Sequence, residues 1–200
     1  MITADTYTKL IHPSDRSVRT LFGDGATATL VEQCDKPGLS SFFLGTDGTG
    51  ACNLIVPAGG MRQPKSPATS VASTDAQGNT RSAENLFMNG QEIFTFTLKR
   101  VPELIAGVLD PAGIAAVDID WFVFHQANRF MLEHLRKKLS IPVDKMIYFH
   151  QSTGNTVSST IPLALEDARQ RGVFKAGQKL LLAGFGVGYS WGGCLLTWSE

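Results

Sequence analysis

The sequence carries no net charge, no long apolar run and no closely paired cysteines, and each absence narrows what the protein can be. Eighteen basic and eighteen acidic side chains cancel over 200 residues, so no overall field draws the chain to nucleic acid or to a membrane surface. The longest apolar runs, such as 180–183, fall far short of the ~20 residues that a membrane-spanning helix needs. The N-terminus lacks a basic segment followed by an apolar one. We therefore expect a cytoplasmic protein with no membrane or nucleic-acid partner.

The three cysteines, Cys34, Cys52 and Cys194, are odd in number and far apart in the sequence. None has the CxxC spacing that is typical of zinc or redox sites, and they do not form a disulfide framework. We expect ordinary thiols, no metal site and no bound cofactor. A hydrophobic content of 43% is enough for one well-buried core, or for two small sub-domains that share an interface.

The pattern of residues changes near residue 85. Before it, the strand-like runs 18–22, 26–31 and 41–44 are separated by glycine turns. A polar stretch over 62–84 then contains proline, glycine, serine and threonine without an apolar period, which predicts a long loop. We divide the chain into a first part over 1–85 and a second part over 86–200.

The second part alternates helix and strand after a turn predicted at Asn89-Gly90. Apolar spacing and helix-end signals predict helices over 98–109, 129–139 and 161–171, with Asn128 capping the second of them. Apolar runs predict strands over 121–124, 146–149, 180–183 and 193–198. Strands that alternate with helices of this length favour an α/β fold with crossover connections and a mainly parallel sheet.

Unusual residues follow three of the predicted strands. His125 comes directly after the first, Gly154-Asn155 follows the second, and a glycine-rich run over 184–188 follows the third. Ligands of open parallel sheets bind beyond the carboxyl ends of the strands, so one crevice could hold all three. A histidine, a carboxamide and backbone N–H groups together can donate hydrogen bonds to an oxyanion that develops on a carbonyl substrate.

Each of these signals also has a structural interpretation. A histidine at a strand end is more often structural than catalytic, and a Gly-Asn step is usually a turn. The glycine-rich run over 184–188 could be a tight turn between adjacent strands. The conjunction of the three favours a catalytic site.

Several motifs together resemble one family. The runs His125-Gln126-Ala127-Asn128, Gly154-Asn155-Thr156 and 184–192 resemble the beta-ketoacyl-acyl carrier protein synthase III family of the thiolase superfamily. Earlier segments over 4–5, 21–26, 56–60 and 88–90 also resemble that family, in the expected order. The resemblance covers nearly the whole chain.

This resemblance implies a thiolase-like fold of two similar mixed α/β halves. The chain would hold the end of the first half and one complete C-terminal mixed-sheet half. In the family a cysteine of the first half receives the acyl group, while a histidine and an asparagine bind the thioester carbonyl of malonyl-acyl carrier protein. By motif those two roles fall on His125 and Asn155. The resemblance also implies acyl-coenzyme A as substrate and assembly into a homo-oligomer.

The remaining site assignments follow the same resemblance, with two departures. Gly186, Val187 and Gly188 stand where the family has three glycines, so backbone donation to the oxyanion would come from a β-branched residue. Asn128 is a further expected substrate contact. An arginine that the family uses to dock the carrier protein has no match, since Phe130 takes its place. We assign docking to Arg129, Arg136 and Lys137, because residues 125–179 hold nine basic against four acidic side chains, a surplus of five.

No cysteine of this sequence matches the nucleophile of the family. Either the chain is a fragment of a full-length synthase, which we favour, or it is a short chain that works with a cysteine-bearing partner. The expected function is part of an acyltransferase that condenses acyl-coenzyme A with malonyl-acyl carrier protein in fatty acid biosynthesis. A non-catalytic partner subunit and a related acyltransferase of a secondary pathway remain alternatives. We expect no condensing activity from this chain alone.

Overall fold

The computed structural model describes residues 1–35 and 38–199. Its helices, in chain order, are α1 (Arg16–Arg19), α2 (Gly90–Ala112), α3 (Arg129–Lys138) and α4 (Thr160–Gln170). Its strands are β1 (Ile2–Asp5), β2 (Gly25–Ala28), β3 (Leu39–Thr46), β4 (Leu54–Ile55), β5 (Ser73–Thr74), β6 (Thr80–Arg81), β7 (Phe87–Met88), β8 (Trp121–Phe124), β9 (Lys179–Gly186) and β10 (Ser190–Thr197).

A four-stranded sheet in the order β3-β10-β9-β8 forms the centre of the molecule. Within it β8 and β9 run parallel, while β10 is antiparallel to both β9 and β3. The expectation of a mainly parallel sheet is therefore wrong, because β9 and β10 are joined by a tight turn and form a hairpin. The sheet is mixed, as the family resemblance implied.

Helices cover both faces of this sheet. On one face α2 and α3 pack against alternate strand residues in a core that includes Leu104, Phe122 and Leu181. On the other face α4 packs through Ala164 and Ala168 against the opposite strand residues. The result is a helix-sheet-helix arrangement in which β8 and β9 are buried from both sides.

The longest helix, α2, begins earlier than its apolar spacing predicts. Asn89 does not form a turn but caps this helix, since its Oδ1 accepts a hydrogen bond from the N–H of Glu92 at 3.3 Å. The helix ends at Ala112, and the following Gly113 terminates it with a left-handed φ of 63° that glycine adopts readily. The predicted range 98–109 was the buried middle of a longer helix.

Two predicted strands are absent from the described residues. Of the run 18–22, Val18 and Arg19 lie in α1, because the side chain of Asp15 accepts from the N–H of Ser17 and starts a helical turn, and Phe22 makes only an isolated bridge to Asn155. Residues 146–149 make one bridge to β8, from Met146 to Phe122, but no ladder. The prediction over 26–31 is confirmed only up to Ala28, and the predicted loop over 62–84 contains the two-residue strands β5 and β6.

The first part of the chain is attached to the second through short pairings. The strands β1 and β2 form an antiparallel pair, and the hydroxyl of Thr3 lies 2.9 Å from that of Ser159. The strand β3 precedes residue 85 but pairs with β10. The four-stranded sheet thus takes one strand from the first part of the chain.

Candidate active site

His125 continues β8 by one residue at the carboxyl end of that strand. Its backbone N–H donates to the carbonyl of Ala183 on β9 at 2.8 Å, which extends the parallel pairing. The ring of Phe185 lies edge-on to the imidazole, with centroids 5.5 Å apart at 87°. The imidazole is therefore held where the parallel pair ends, as the sequence predicted.

Asn155 is anchored by the backbone of the first part of the chain. Its N–H donates to the carbonyl of Leu21 at 2.8 Å, and its carbonyl accepts from the N–H of Gly23 at 3.0 Å. The preceding Gly154 has φ +65°, and a Cβ there would lie 2.9 Å from the Leu21 oxygen. Only glycine allows this close approach, so Gly154 fixes the position of Asn155.

The carboxamide of Asn155 is oriented by the next turn. Its Oδ1 accepts a hydrogen bond from the backbone N–H of Val157 at 2.9 Å. Val157 has a φ of 57°, which is unusual for a β-branched residue and strains the backbone. Because the amide oxygen has this partner, the Nδ2 group is the part of the side chain left to donate to a ligand.

His125 is neutral at physiological pH in this environment. Burial lowers the pKa of its imidazole to about 4, and a hydrogen bond with the backbone of Val157 opposes that decrease. The Nδ1 atom lies 2.7 Å from the hydroxyl of Thr160, the first residue of α4. The positive end of that helix dipole also disfavours an imidazolium. A neutral ring can donate through only one of its nitrogens.

Two adjoining cavities meet at these side chains. One has a volume of about 220 Å³ and a mostly apolar lining that includes Met88, Phe94 and Phe130. The other, of about 560 Å³, is more open and extends past Trp191. The residues that line both are Phe22, Leu54, His125, Asn155, Phe185 and Gly186. The histidine and the asparagine thus face one continuous space.

The three residues assigned to backbone donation occupy different places. Gly186 is the last residue of β9 and lines both cavities, whereas Val187 lines only the larger one and is 42% exposed. Gly188 lines neither cavity and lies in the turn to β10 with φ +126°. Of the three, only Gly186 lines both of the cavities that His125 and Asn155 line, and the donor role of Val187 stays a prediction.

The predicted docking residues differ in how freely they can meet a partner. Arg129 and Lys137 are exposed on α3. Arg136 is engaged within the chain, because its guanidinium donates to Glu133 at 3.0 Å and to the carbonyl of Ile141 at 3.0 Å. Asn128 caps α3 by accepting from the N–H of Met131 at 2.9 Å and also lines the smaller cavity.

The cysteines lie away from this space. Cys34 and Cys52 are exposed, and Cys194 is half-buried on β10. Burial raises the pKa of the Cys194 thiol, which reduces its thiolate fraction. None of the three lines either cavity. Over residues 1–35 and 38–199 no three His, Cys, Asp or Glu side chains are grouped as a metal site, and no described helix is long and apolar enough to span a membrane.

Sequence reasoning missed two residues that shape the site. Gln126 is fully buried, and its side chain bonds to the carbonyl of Phe124 at 2.7 Å and to the N–H of Phe149 at 2.7 Å. These bonds replace the strand ladder that was predicted over 146–149. Thr160, beside the His125 ring, was also missed. The available signals were a polar residue directly after the candidate histidine and a threonine at the start of a predicted helix.

Comparisons with known proteins agree with the geometry. The family model "3-Oxoacyl-[acyl-carrier-protein (ACP)] synthase III" matches residues 1–48, and the model of the C terminal part of that family matches 109–198. A "Beta-ketoacyl-[acyl-carrier-protein] synthase III 3" of Streptomyces coelicolor is 36% identical over 99% of this chain and 57% of its own length. A synthase III of Porphyra purpurea is 37% identical over 99% of this chain and 59% of its own.

Solved structures give the same result. A 3-oxoacyl-(acyl-carrier-protein) synthase III with 52% identity superposes with a TM-score of 0.94, covering 98% of this chain and 59% of that one. The synthase from Burkholderia xenovorans LB400 has 41% identity and a TM-score of 0.85, covering 99% and 55%. This chain spans between 55% and 59% of the length of these four proteins.

Proposed function

The chain belongs to the 3-oxoacyl-[acyl-carrier-protein] synthase III family and has its thiolase-like α/β fold, and on that premise we propose that it is the carbonyl-binding part of an acyltransferase. The reaction is the decarboxylative condensation of acyl-coenzyme A with malonyl-acyl carrier protein in fatty acid biosynthesis. In this proposal residues 1–85 are the end of a first thiolase-like half and 86–200 are the second half.

The observation that carries the proposal is the pairing of His125 with Asn155 at one cavity. When the malonyl thioester loses carbon dioxide, the electron pair of the broken C–C bond delocalises onto the thioester oxygen. Two N–H donors on that oxygen stabilise this charge more than they stabilise the uncharged carbonyl. Donors of this kind are typically worth about 3 kcal/mol each in the transition state. The enolate carbon then attacks the acyl thioester and expels its thiolate.

The acyl-carrying thiol is absent from this site. None of the three cysteines lines either cavity, and acyl transfer through a covalent enzyme intermediate requires a nucleophile. We therefore propose that the cysteine is supplied from outside these 200 residues, and that the chain alone does not catalyse condensation. A cytoplasmic location and assembly into a homo-oligomer are parts of the same proposal.

Acyl carrier protein is the proposed partner at α3. Arg129 and Lys137 are exposed there and are the side chains available to an acidic partner or to phosphate. Arg136 is held by Glu133 and supports the helix instead. We expect no bound cofactor, with coenzyme A entering only as the thioester substrate.

The test begins with the native protein from its source cells, captured with an antibody against residues 120–199. A species clearly heavier than 21.6 kDa supports a longer synthase; a species at that mass that co-purifies with a cysteine-bearing chain supports a two-chain enzyme. Release of carbon dioxide from malonyl-acyl carrier protein is then measured. His125→Ala and Asn155→Ala should each lower kcat by about 10²–10³-fold, and His134→Ala, at an exposed position, should not.

Three outcomes would contradict the proposal. Unchanged decarboxylation in the His125→Ala, Asn155→Ala double variant would remove the two donors from the mechanism. Acyl transfer to an alcohol or an amine without loss of carbon dioxide would indicate the related acyltransferase. A stable complex that binds both thioesters without turnover would indicate a non-catalytic subunit.

A further inference from the structure

The short helix α1 lies between a buried ion pair and the backbone that anchors Asn155. It spans four residues, Arg16–Arg19, which is too few for a helix to persist through its own hydrogen bonds. Its first turn is capped by Asp15, whose Oδ1 accepts from the N–H of Ser17 at 3.0 Å and from its hydroxyl at 2.5 Å. The helix therefore depends on this cap and on whatever holds the cap in place.

The cap is held by Arg81. The side chain of Asp15 is 1% exposed, and a carboxylate removed from water to this extent is costly unless it is paired. Arg81 provides the pair from β6, since its Nε donates to Oδ2 of Asp15 at 2.6 Å. The two oxygens of Asp15 thus have separate partners: Oδ1 binds the helix and Oδ2 binds the cation.

The other end of α1 leads directly to the candidate site. The carbonyl of the fully buried Val18 accepts the N–H groups of Leu21 at 3.0 Å and Phe22 at 3.4 Å. This turn sets the direction of the Leu21 carbonyl, which accepts the backbone N–H of Asn155 at 2.8 Å. It also places Phe22, which lines both cavities and bridges to Asn155. A displacement of α1 would therefore move the acceptor that holds Asn155.

We propose that Asp15 and Arg81 are positioning residues for Asn155, which they hold in place through α1 and the Leu21 carbonyl. Neither of the two lines either cavity of the site, so they act without touching a ligand there. The effect on catalysis rests on the proposed function, whereas the effect on the position of Asn155 does not. The backbone of His125 is anchored to β9 instead, and its position should not depend on this pair.

The test is the backbone amide signal of Asn155 in the full chain without substrate. The chain is labelled with [¹⁵N]asparagine and [¹⁵N]histidine, and the signals of Asn155 and His125 are assigned by their loss in Asn155→Ala and His125→Gln. Asp15→Ala removes the cap of α1. We expect the Asn155 amide proton to move upfield in this variant, because its hydrogen bond to Leu21 lengthens, while the His125 amide signal keeps its position.

Asp47→Ala is the matched control. Asp47 also caps a single helical turn, since its Oδ1 accepts from the N–H of Thr49 at 3.1 Å, and it also pairs with an arginine, Arg100, at 3.3 Å. That turn does not continue into the segment that anchors Asn155, so the Asn155 signal should keep its wild-type position. An Asn155 signal that is unmoved in folded Asp15→Ala, or moved equally by Asp47→Ala, would overturn the inference.

A second set of variants separates the charge of Asp15 from its cap, and decides the question if Asp15→Ala does not fold. Arg81→Met leaves the buried carboxylate unpaired and should move the Asn155 signal in the same direction. Addition of Asp15→Asn removes that charge but keeps a capping oxygen, since asparagine caps helices about as well as aspartate does, and should return the signal most of the way. No movement in Arg81→Met, or no return in the double variant, would overturn the place of Arg81 in the inference.

A rate measurement separates this inference from the proposed function. In the complete enzyme, Asp15→Ala should lower kcat for decarboxylation by about 10–10²-fold, because a small displacement of a donor misaligns it with the reacting oxygen, with KM changed far less. In the Asn155→Ala background the same change should have little further effect, because the donor that it positions is gone. An equal loss in both backgrounds would overturn the inference. A rate that Asn155→Ala itself does not lower would contradict the proposed function, while the amide signals would still decide the positioning of Asn155.

Discussion

The two regions of this chain are held together in different ways. The second region, residues 90–199, contains nearly all of the buried apolar side chains, packed on both faces of the sheet. In the described part of the first region, residues 1–35 and 38–89, the buried apolar side chains are Val18, Ala58 and Leu86. That region also exposes many large apolar side chains, among them Ile2, Leu30, Phe42, Leu44 and Met61.

Hydrogen bonds and ion pairs stabilise much of the first region. Arg81 donates to the buried Asp15 at 2.6 Å and to Asp75 at 3.0 Å. The hydroxyl of Thr3 lies near that of Ser159 in the second region. The difference shows that the second region has a core of its own, whereas the first is ordered by ion pairs and by its attachment to the second.

The largest test of this comparison is Phe122→Ala in β8. Phe122 is 2% exposed between the sheet and its helices, and truncation of such a side chain costs about 3–5 kcal/mol of the free energy of unfolding. The matched control is Phe42→Ala in β3, where the ring is 65% exposed, and we expect a change within about 0.5 kcal/mol. Urea titration of both variants measures the difference. Equal losses would contradict the asymmetry between the regions.

The next test uses pH and addresses the second region alone. In the folded state the pKa of His125 is lowered from 6.5 to about 4, so the folded chain keeps this ring neutral while the unfolded chain protonates it. The contribution to stability is complete above pH 6.5 and is lost as the pH falls toward 4. A pKa shift from 6.5 to about 4 corresponds to at most about 3.4 kcal/mol of the free energy of unfolding.

This second prediction is checked by urea titration across that pH range in the wild type and in His125→Gln. The variant should lose most of the slope; His150, whose pKa is also lowered, first by burial and then by the charge of Arg129, and the carboxyl groups with lowered pKa values, such as Glu133 and Glu166, contribute to the remainder. His134→Gln is the control. A wild type with constant stability over the window would show that His125 is not buried as a neutral ring.

A third test breaks the polar network of the first region. Removal of one partner from a buried ion pair lowers the free energy of unfolding by about 3–5 kcal/mol. Because Arg81 keeps 18% of its side chain exposed, we expect a smaller loss of about 2 kcal/mol for Arg81→Met. The control is Arg171→Met, which removes a pair with Asp167 at an arginine that is 54% exposed, for less than about 1 kcal/mol.

The pair of Asp15 and Arg81 also makes stability depend on pH in the acid range. Burial raises the pKa of Asp15, but hydrogen bonds from Arg81 and Ser17 outweigh it, and the net pKa is below the ordinary 3.8. This contribution is present above that value and is lost as the pH falls through the folded pKa. The gap between wild type and Arg81→Met should therefore close in strong acid. A gap that stays constant would mean that Arg81 acts through packing.

The smallest expected effect is at Val157, where the two regions meet the site. The φ of Val157 is 57°, which a glycine adopts without the steric strain of a β-branched residue. Glycine loses more conformational entropy on folding, and this loss offsets part of the relieved strain. We therefore expect Val157→Gly to raise the free energy of unfolding by about 1 kcal/mol. Val143→Gly, at an exposed valine without a positive φ, should destabilise it by a similar amount. Thermal unfolding of both variants decides the sign.

The sequence predicted the second region better than the first, for physical reasons. The strand β8 has the predicted bounds, and α3 ends one residue before the prediction, because apolar periodicity reports burial and this region is layered. The run 18–22 has an apolar composition suited to a strand, but Asp15 caps a helical turn there. The strand predicted over 146–149 is absent, because the side chain of Gln126 takes the place of its ladder.

The site was predictable in position but not in orientation. The rule that ligands bind beyond strand ends placed His125 and Asn155 together, and the structure brings them to one cavity. The left-handed conformation of Val157 runs against the preference of valine, so no propensity argument predicts it. The contact of Thr160 with the His125 ring depends on how α4 meets β8, which is a tertiary property.

The anchoring of Asn155 to Leu21 makes the two candidate donors, His125 and Asn155, unequal in their dynamics. The amide hydrogen of Asn155 is held by a carbonyl of the first region, whereas that of His125 is held by Ala183 within the sheet. A backbone amide hydrogen exchanges with solvent when the part of the structure that holds its hydrogen bond opens, so its exchange rate reports the free energy of that local opening. The Asn155 amide should therefore exchange with the loosening of the first region, while the His125 amide exchanges only when the sheet opens. Local opening of the first region would thus release Asn155 while His125 keeps its native position in the sheet.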